Sequence, residues 1–313
     1  MISIFDVICI GAALVDMVAQ VGRYPGNDDE VFVSNLSLFS GGSAANTAYA
    51  CAKLGLRTAF IGKLGRNDVF GTKIFNDFQE GKVSTKYVKY SEKFATGSAY
   101  VALNTEGERR IYAYSGAANY LSKEDIKEEE IVNTKLVFLS SLKNFEGFIE
   151  AALIGRRNKI PVILNPGMLI IEQGLLNIET LLNKIDILIM SQREFKVLVD
   201  FNKEYLNLNT IREDSNRLFS LGVQCIIITM AEKGAIIVTP EKGDIIPSIK
   251  IDKVVDTTGA GDAFSAGFIY GFHQNPGFNF ETLKKNVIIG NFVAGKCIEK
   301  LGARNGIPKQ IEI

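Results

Sequence analysis

The residues best suited to chemistry lie in Asp256-Thr257-Thr258-Gly259-Ala260-Gly261-Asp262-Ala263-Phe264-Ser265-Ala266-Gly267-Phe268. The stretch follows a Val-Val pair and opens into an Ala/Gly/Phe pattern suited to a helix. Gly259, Ala260 and Gly261 are small enough for backbone N–H groups to converge on a ligand. At a helix start, unpaired amides and the macrodipole favour an anion such as phosphate. Asp262 would stand in the first turn beside that anion, placed to accept a proton from an attacking hydroxyl. An isolated aspartate there could equally serve only the helix dipole. Asp256, the two threonines and the small-residue helix shift the reading toward an anion site with a carboxylate base.

A second segment, Gly41-Gly42-Ser43-Ala44-Ala45-Asn46-Thr47-Ala48-Tyr49-Ala50-Cys51-Ala52-Lys53-Leu54-Gly55, sets a Gly pair before an Ala-rich helix that Gly55 caps. It lacks G-x-G-x-x-G, and an alternating segment precedes it rather than a buried strand, so it is no dinucleotide fingerprint. Asn46, polar among alanines one turn into the helix, either faces a ligand or bonds a neighbouring loop. No Gly-Lys-Ser or Gly-Lys-Thr occurs anywhere, which excludes a Walker A loop, and the H-R-D and D-F-G elements of protein kinases are absent.

These segments need a scaffold. Short apolar runs at 5–10, 136–139, 161–164, 185–190 and 225–229 read as strands covered on both faces. Helical patterns lie between them at 43–54, 68–79, 145–158, 193–199 and 211–221. This alternation predicts an α/β fold, a mainly parallel, doubly wound sheet with helices on both faces. Two stretches depart from it. Glu30 to Phe39 alternates with period two, and Gly97 to Tyr114 reads as a hairpin about Asn104-Thr105-Glu106-Gly107. A single domain over 1–313 is expected, with a small β lid built from about 14–40 and 96–115. The lid could close over a ligand, pair two copies of the chain, or do both.

Composition narrows the classes. Lys+Arg 35 balance Asp+Glu 35 in 313 residues, with no basic stripe, which argues against a nucleic-acid partner. The charged run around Lys127-Glu128-Glu129-Glu130 reads as a solvated helix face. The one histidine, His273, reads as a helix-terminal surface residue, so acid–base chemistry falls to a carboxylate. Cys9, Cys51, Cys225 and Cys297 are widely spaced in apolar runs, as expected of buried reduced thiols in the cytoplasm. The N-terminus has no basic leader and carries Asp6 and Asp16, so no signal peptide is expected. No apolar run approaches the roughly 20 residues that span a bilayer, and no membrane partner is expected.

GGSAANTA from position 41 and DTTGAGDAFSAGF from position 256 resemble the two signatures of the ribokinase-like (phosphofructokinase B-type) carbohydrate kinases. The resemblance covers essentially the whole chain in length, motif order and placement of the lid. It implies a ribokinase-like α/β fold and an ATP-dependent kinase acting on the primary hydroxyl of a small sugar or sugar-like acceptor, with Mg²⁺ and, in several members, a monovalent cation such as K⁺ as cofactors. Asp262 matches the catalytic aspartate, and Gly259, Ala260 and Gly261 match the anion hole. Asp16, Gly41, Gly42 and Asn46 match the residues that hold acceptor hydroxyls. Asp256 matches an aspartate that supports a monovalent-cation site in several members. The N-x-x-E linked to Mg²⁺ and phosphate reads Ser191-Gln192-Arg193-Glu194, retaining Glu194 as the indirect Mg²⁺ residue. The nucleotide-side T-x-G-x-x-G reads Thr229-Met230-Ala231-Glu232-Lys233-Gly234, with Thr229 and Gly234 implied in ATP binding. Ala231 is tolerable there unless the position needs positive φ. Leu14 stands where ribokinases proper carry an asparagine, and apolar residues there are more typical of adenosine and other nucleoside kinases. The readings left open are therefore a sugar kinase, a nucleoside kinase, or a non-catalytic ligand-binding regulator on the same fold. The resemblance also implies a homodimer through the lid.

Overall fold

The computed structural model describes residues 4–201 and 207–312. Along the chain come β1 (Val7–Gly11), β2 (Leu14–Val21), β3 (Val33–Gly41), α1 (Ser43–Lys53), β4 (Thr58–Ile61), β5 (Lys63–Gly65), α2 (Val69–Glu80), β6 (Lys89–Ser91), β7 (Gly97–Leu103) and β8 (Arg109–Tyr114). Then follow α3 (Glu128–Ile131), β9 (Val137–Ser140), α4 (Glu146–Arg157), β10 (Val162–Asn165), α5 (Gly167–Ile171), α6 (Leu175–Leu182), β11 (Ile187–Ser191), α7 (Gln192–Leu198), α8 (Leu208–Ser220), β12 (Cys225–Thr229), β13 (Ala235–Val238), β14 (Gly243–Ile246), α9 (Ala260–Gln274) and α10 (Phe280–Cys297).

Eight strands form the main sheet in the order β14-β13-β12-β11-β10-β9-β1-β4. Its six strands from β12 to β4 are parallel, and the β12-β13-β14 edge is antiparallel. The apolar runs lack polar alternation because both faces are covered. On one face Val7, Cys9, Ile187, Ile189, Cys225 and Ile227 join α1, α9 and α10 in a common core. On the other, Ile8, Ile10, Leu188, Met190, Ile226 and Ile228 pack with α4, α6, α7 and α8. The predicted strands and helices lie within a few residues of those found. The free thiols of Cys9, Cys51, Cys225 and Cys297 are all buried, and no helix among the described residues is long and apolar enough to cross a membrane.

The period-two segments and β2, which carries no such pattern in the sequence, form a separate four-stranded sheet in the order β3-β2-β7-β8. β7 and β8 are the hairpin around Asn104, whose Oδ1 accepts from the amides of Glu106 and Glu108. β2 and β7 pair in parallel because the chain leaves this sheet after β3 and returns only after α2.

Two surface expectations need correction. Glu128 and Glu129 are exposed, but Glu130 is turned inward, where Lys89 Nζ donates to its Oε1 at 2.6 Å. His273 ends α9 as expected but is half-buried, with Nε2 3.8 Å from Asp6 Oδ1. Asp6 also accepts from the Arg57 backbone amide, Nε and Nη2 at 3.0, 3.1 and 2.7 Å, and pairs with Lys135 Nζ at 3.0 Å. Burial works to raise this carboxyl, but the Arg57 and Lys135 donors outweigh it and hold the group well below the usual carboxylate range. A depressed carboxyl contributes stability above its unfolded pKa of about 4 and loses it as pH falls further. Asp6→Asn should lower stability by about 2 kcal/mol at pH 7. Thermal unfolding from pH 7 to pH 3 should show the gap to wild type narrowing below about pH 4.

Candidate active site

Two helices start where the main sheet changes winding direction, between β1 and β9, and ligands of open α/β sheets gather at such points. α1 follows β3, and its alanines make a strong helix former. Ala44, Ala45 and Ala48 are fully buried, so its backbone can lie close to β1 and α9. Gly42 caps it with φ 95°, and a Cβ at Gly41 would fall 2.3 Å from Asp16 Oδ2. The glycine at 41 is what lets the Asp16 carboxylate approach the α1 entry. Burial pushes that carboxyl upward, opposed by Arg304.

α9 begins at Gly259, whose φ of 78° places it in the left-handed region. A Cβ there would stand 2.4 Å from the Ala303 Cβ. The Ala260 amide donates to the Thr257 carbonyl at 3.2 Å. Gly261 and Asp262 follow in the first turn, where amides have no helical acceptor. Asp256 closes the loop from outside. Its Oδ1 accepts from the Thr258 amide and its Oδ2 from the Gly302 amide, both at 2.9 Å. Through these two bonds Asp256 braces the loop against the C-terminal segment.

Asp262 is the meeting point. Its Oδ1 accepts from Ser43 Oγ at 2.6 Å, and Ser43 Oγ lies 2.6 Å from Ser140 Oγ at the end of β9. Its Oδ2 accepts from Asn46 Nδ2 at 3.0 Å. Desolvation pushes the Asp262 carboxyl above the usual range, while Ser43, Asn46 and Arg304 pull in the opposite direction. A carboxylate of raised proton affinity, still tied to neutral donors, suits a general base.

Asp262, Gly261 and Ser43 line a cavity of about 340 Å³ across the carboxyl ends of β10, β11 and β12. Thr229, Glu194 and Ser191 are on the same wall, together with Ser141, Asn165 and Met190. Ser191 Oγ accepts from the Glu194 amide at 3.2 Å, and Glu194 Oε2 accepts from the Ser191 amide at 2.7 Å. This reciprocal capping box explains how a serine replaces the family's asparagine and still starts α7. Glu194 Oε1 takes no part in the cap. Among the described residues no three His, Cys, Asp or Glu side chains cluster as a metal cage. Glu194, an acidic side chain of this wall with one oxygen outside the cap, would suit an indirect Mg²⁺ contact through water.

Several implied residues lie outside this cavity wall. Asp16, Gly41, Gly42 and Asn46 form a neighbouring group on β2, β3 and α1. Gly234 lies in the β12–β13 turn with φ 91°, where a Cβ would meet the Ile246 carbonyl at 2.1 Å. Ala231 in the same turn has φ 51°, so the position does need a left-handed backbone, and alanine carries that strain here. Sequence reasoning missed Ser43, Ser140, Ser141, Asn165 and Arg304. The Ser43 position within the quoted glycine signature was the one available signal.

Residues 5–310 match the pfkB family carbohydrate kinases. The chain belongs to this family. A ribokinase of Staphylococcus aureus is 27% identical over 310 residues, 98% of each chain. An uncharacterized sugar kinase of Archaeoglobus fulgidus is 32% identical over 83% of this chain and 99% of its own. Among solved structures, Arabidopsis thaliana ribokinase complexed with ribose and ATP superposes with a TM-score of 0.86 at 25% identity, covering 98% and 96% of the two chains. The match extends over both the main sheet and the small sheet.

The two glycines of the α9 entry separate folding from ligand contact. Gly259→Ala should destabilise by about 2 kcal/mol, because it combines positive φ with a clash at Ala303. Gly261 has ordinary φ, and a Cβ there would meet nothing within 4 Å. Gly261→Ala should keep the wild-type melting temperature yet lose about tenfold or more in turnover as its methyl enters the cavity. Calorimetry and steady-state kinetics on the two variants check both.

Proposed function

We propose that the chain transfers the γ-phosphoryl group of ATP to the primary hydroxyl of a small sugar, with Asp262 as the base. One observation carries this reading: the Asp262 carboxylate shares a cavity wall with the first-turn amide of its own helix. An acceptor hydroxyl placed between them would give its proton to Asp262 as its oxygen bonds the γ-phosphorus. The bond to the ADP oxygen breaks, and its electron pair leaves with ADP. The amide of Gly261 and the positive end of α9 offset charge on the transferred group. When bound, Mg²⁺ supplies further compensation of phosphate charge. Thr229 and the Gly234 turn belong to the ATP side and Asp16, Gly41 and Gly42 to the acceptor side, while Asn46, whose oxygen accepts from Arg304 and whose NH₂ donates to Asp262, orients the base between them. Four buried reduced thiols and a site that consumes ATP accord with the cytoplasm.

The small sheet is read as a lid. The strand register puts Asp16 and Arg109 on one face, and Arg109 Nη2 lies 4.0 Å from Asp256 Oδ1. The lid therefore reaches the loop that precedes the anion hole, where closure would exclude water. Its other face carries Leu36, Leu38 and Tyr112, each at least 44% exposed. That apolar face supports a homodimer. Sedimentation at micromolar concentration should give twice the 34.4 kDa chain mass, and a monomer alone would remove the dimer from the proposal.

A nucleoside acceptor is the second reading. It rests on Leu14, an apolar, half-buried side chain beside Gly41 and two residues from Asp16. ADP release should be measured with ATP and Mg²⁺ over a panel of sugars and nucleosides. The sugar reading predicts a sugar with the highest kcat/KM, whereas a best nucleoside selects the second reading. Asp262→Asn should lower kcat by about 10³-fold or more. Activity unchanged by that substitution, or no acceptor-dependent turnover at all, would sink the proposal.

A further inference from the structure

Arg304 is 258 residues from Asn46 in sequence, yet its Nε donates to Asn46 Oδ1 at 3.0 Å. Its guanidinium carbon lies 5.0 Å from the Tyr49 ring centroid and 5.9 Å from that of Phe78. Its terminal nitrogens, Nη1 and Nη2, are buried and have no hydrogen-bond partner. Burial pulls the group down to about 10, opposed by the fields of Asp77, Asp262 and Asp16. A buried cation left so incompletely paired is costly, so the bond it does make needs a reason.

We propose that Arg304 is a positioning residue for the base: through Asn46 it fixes Oδ2 of Asp262 and leaves Oδ1 as the oxygen that takes the acceptor's proton. The argument follows from donor chemistry. A guanidinium can only donate, so the Asn46 oxygen must face Arg304 and its NH₂ must face Asp262. The charged donor makes this link stronger than an amide-to-amide contact. Asn46 therefore cannot turn its oxygen toward the carboxylate, where it would repel it. Oδ1 is held differently. Its donor is Ser43, whose hydroxyl has a second acceptor at Ser140 Oγ, also 2.6 Å away. Rotation of one hydroxyl hydrogen uncovers Oδ1. Ser43 also lines the cavity, whereas Asn46 and Arg304 are not part of its wall. Oδ1 is thus the oxygen whose donor lines the cavity, and Oδ2 the one held by a residue outside its wall.

The groups facing Asp262 come from several elements. Ser43, Asn46 and Thr47 lie on α1, and Ser140 on β9. Cys297 on α10 and Asp256 in the preceding loop are also near, and the Cys297 thiol is pushed up to about 11 by burial and these carboxylates. Glu194 shares the cavity wall, and Asp16 faces Arg304 from β2. Arg304 is the cation whose field reaches Asp262 among these groups. Losing it should raise the carboxyl's proton affinity and move the acid limb of activity to higher pH.

The proposal rests on Asp262 as base, and the variants separate the two ideas. Arg304→Met should lower kcat about 30-fold with acceptor KM within about threefold, and raise the acid limb of the kcat–pH profile by about one unit. Arg304→Lys keeps a cationic donor and should restore kcat to within about threefold and return the limb. If Arg304→Met does not fold, Asn46→Ala cuts the same link and should move the limb in the same direction. A raised KM at unchanged kcat would make Arg304 a ligand contact and overturn the proposal. So would lost kcat, or loss of the link at Asn46, with the limb unmoved. If Asp262→Asn is inactive while the limb stays put in the Arg304 and Asn46 variants, only the Arg304 inference falls. An active Asp262→Asn variant removes the base assignment itself.

Discussion

A carboxyl group in the first turn of a helix, withdrawn from water and held by donors from a second helix, is the constraint on which this structure turns. Asp262 meets it because α1 and α9 both start at the sheet's change of winding, so that one helix supplies donors to the other's acid. Moving either helix by one turn would carry the donors past the carboxylate, since successive turns are about 5.4 Å apart. The close approach of α1 depends on its buried alanines, and the α9 entry depends on Gly259 adopting positive φ beside Ala303. Asp256 then ties that entry to Gly302, two residues before Arg304. The packing of the core and the chemistry of the site are joined at this corner.

Much of the frame was legible because its strands are buried on both faces. Runs such as Cys225–Thr229 have no polar alternation to confuse their reading, and the helices between them have clear turns at their ends. Other elements carried weaker signals. β4 is four residues, Thr58–Ile61, and β13 and β14 follow a tight turn within a stretch of mixed pattern. α10 was missed although it is 18 residues long, because its buried Gly290, Asn286 and Asn291 interrupt the apolar stripe. Glu130 shows the limit of reading charge locally: its partner Lys89 lies 41 residues away.

The candidate site was legible where motif and geometry coincide, at Gly259, Gly261 and Asp262. It was not legible where a role depends on pairing across the chain. Nothing near Arg304 has helical or strand period to announce it, and its meaning appears only once α1 and the C-terminal segment meet. Ser191, where the family pattern has an asparagine, proves to be a self-sufficient helix cap. Ala231 runs the other way: a substitution that looked harmless occupies a left-handed position and is strained.

The scarcity of histidine now has a physical account. An imidazole offers one site at neutral pH and turns cationic when it takes a proton, which would place positive charge beside the α9 N-terminus. In the proposed reaction a carboxylate becomes neutral instead, so proton uptake would remove negative charge next to an incoming phosphate. That exchange is favourable only if the carboxylate is charged beforehand, despite its burial. Ser43, Asn46 and the Arg304 field supply that stabilisation, each from outside the helix that bears the acid. His273 lies at the other end of the same helix, where it borders the ion-pair cluster of Asp6 rather than the cavity. The balance of 35 positive and 35 negative residues is therefore compatible with an anionic substrate. In the proposed reading attraction comes from oriented amides at one helix end and does not require a basic surface.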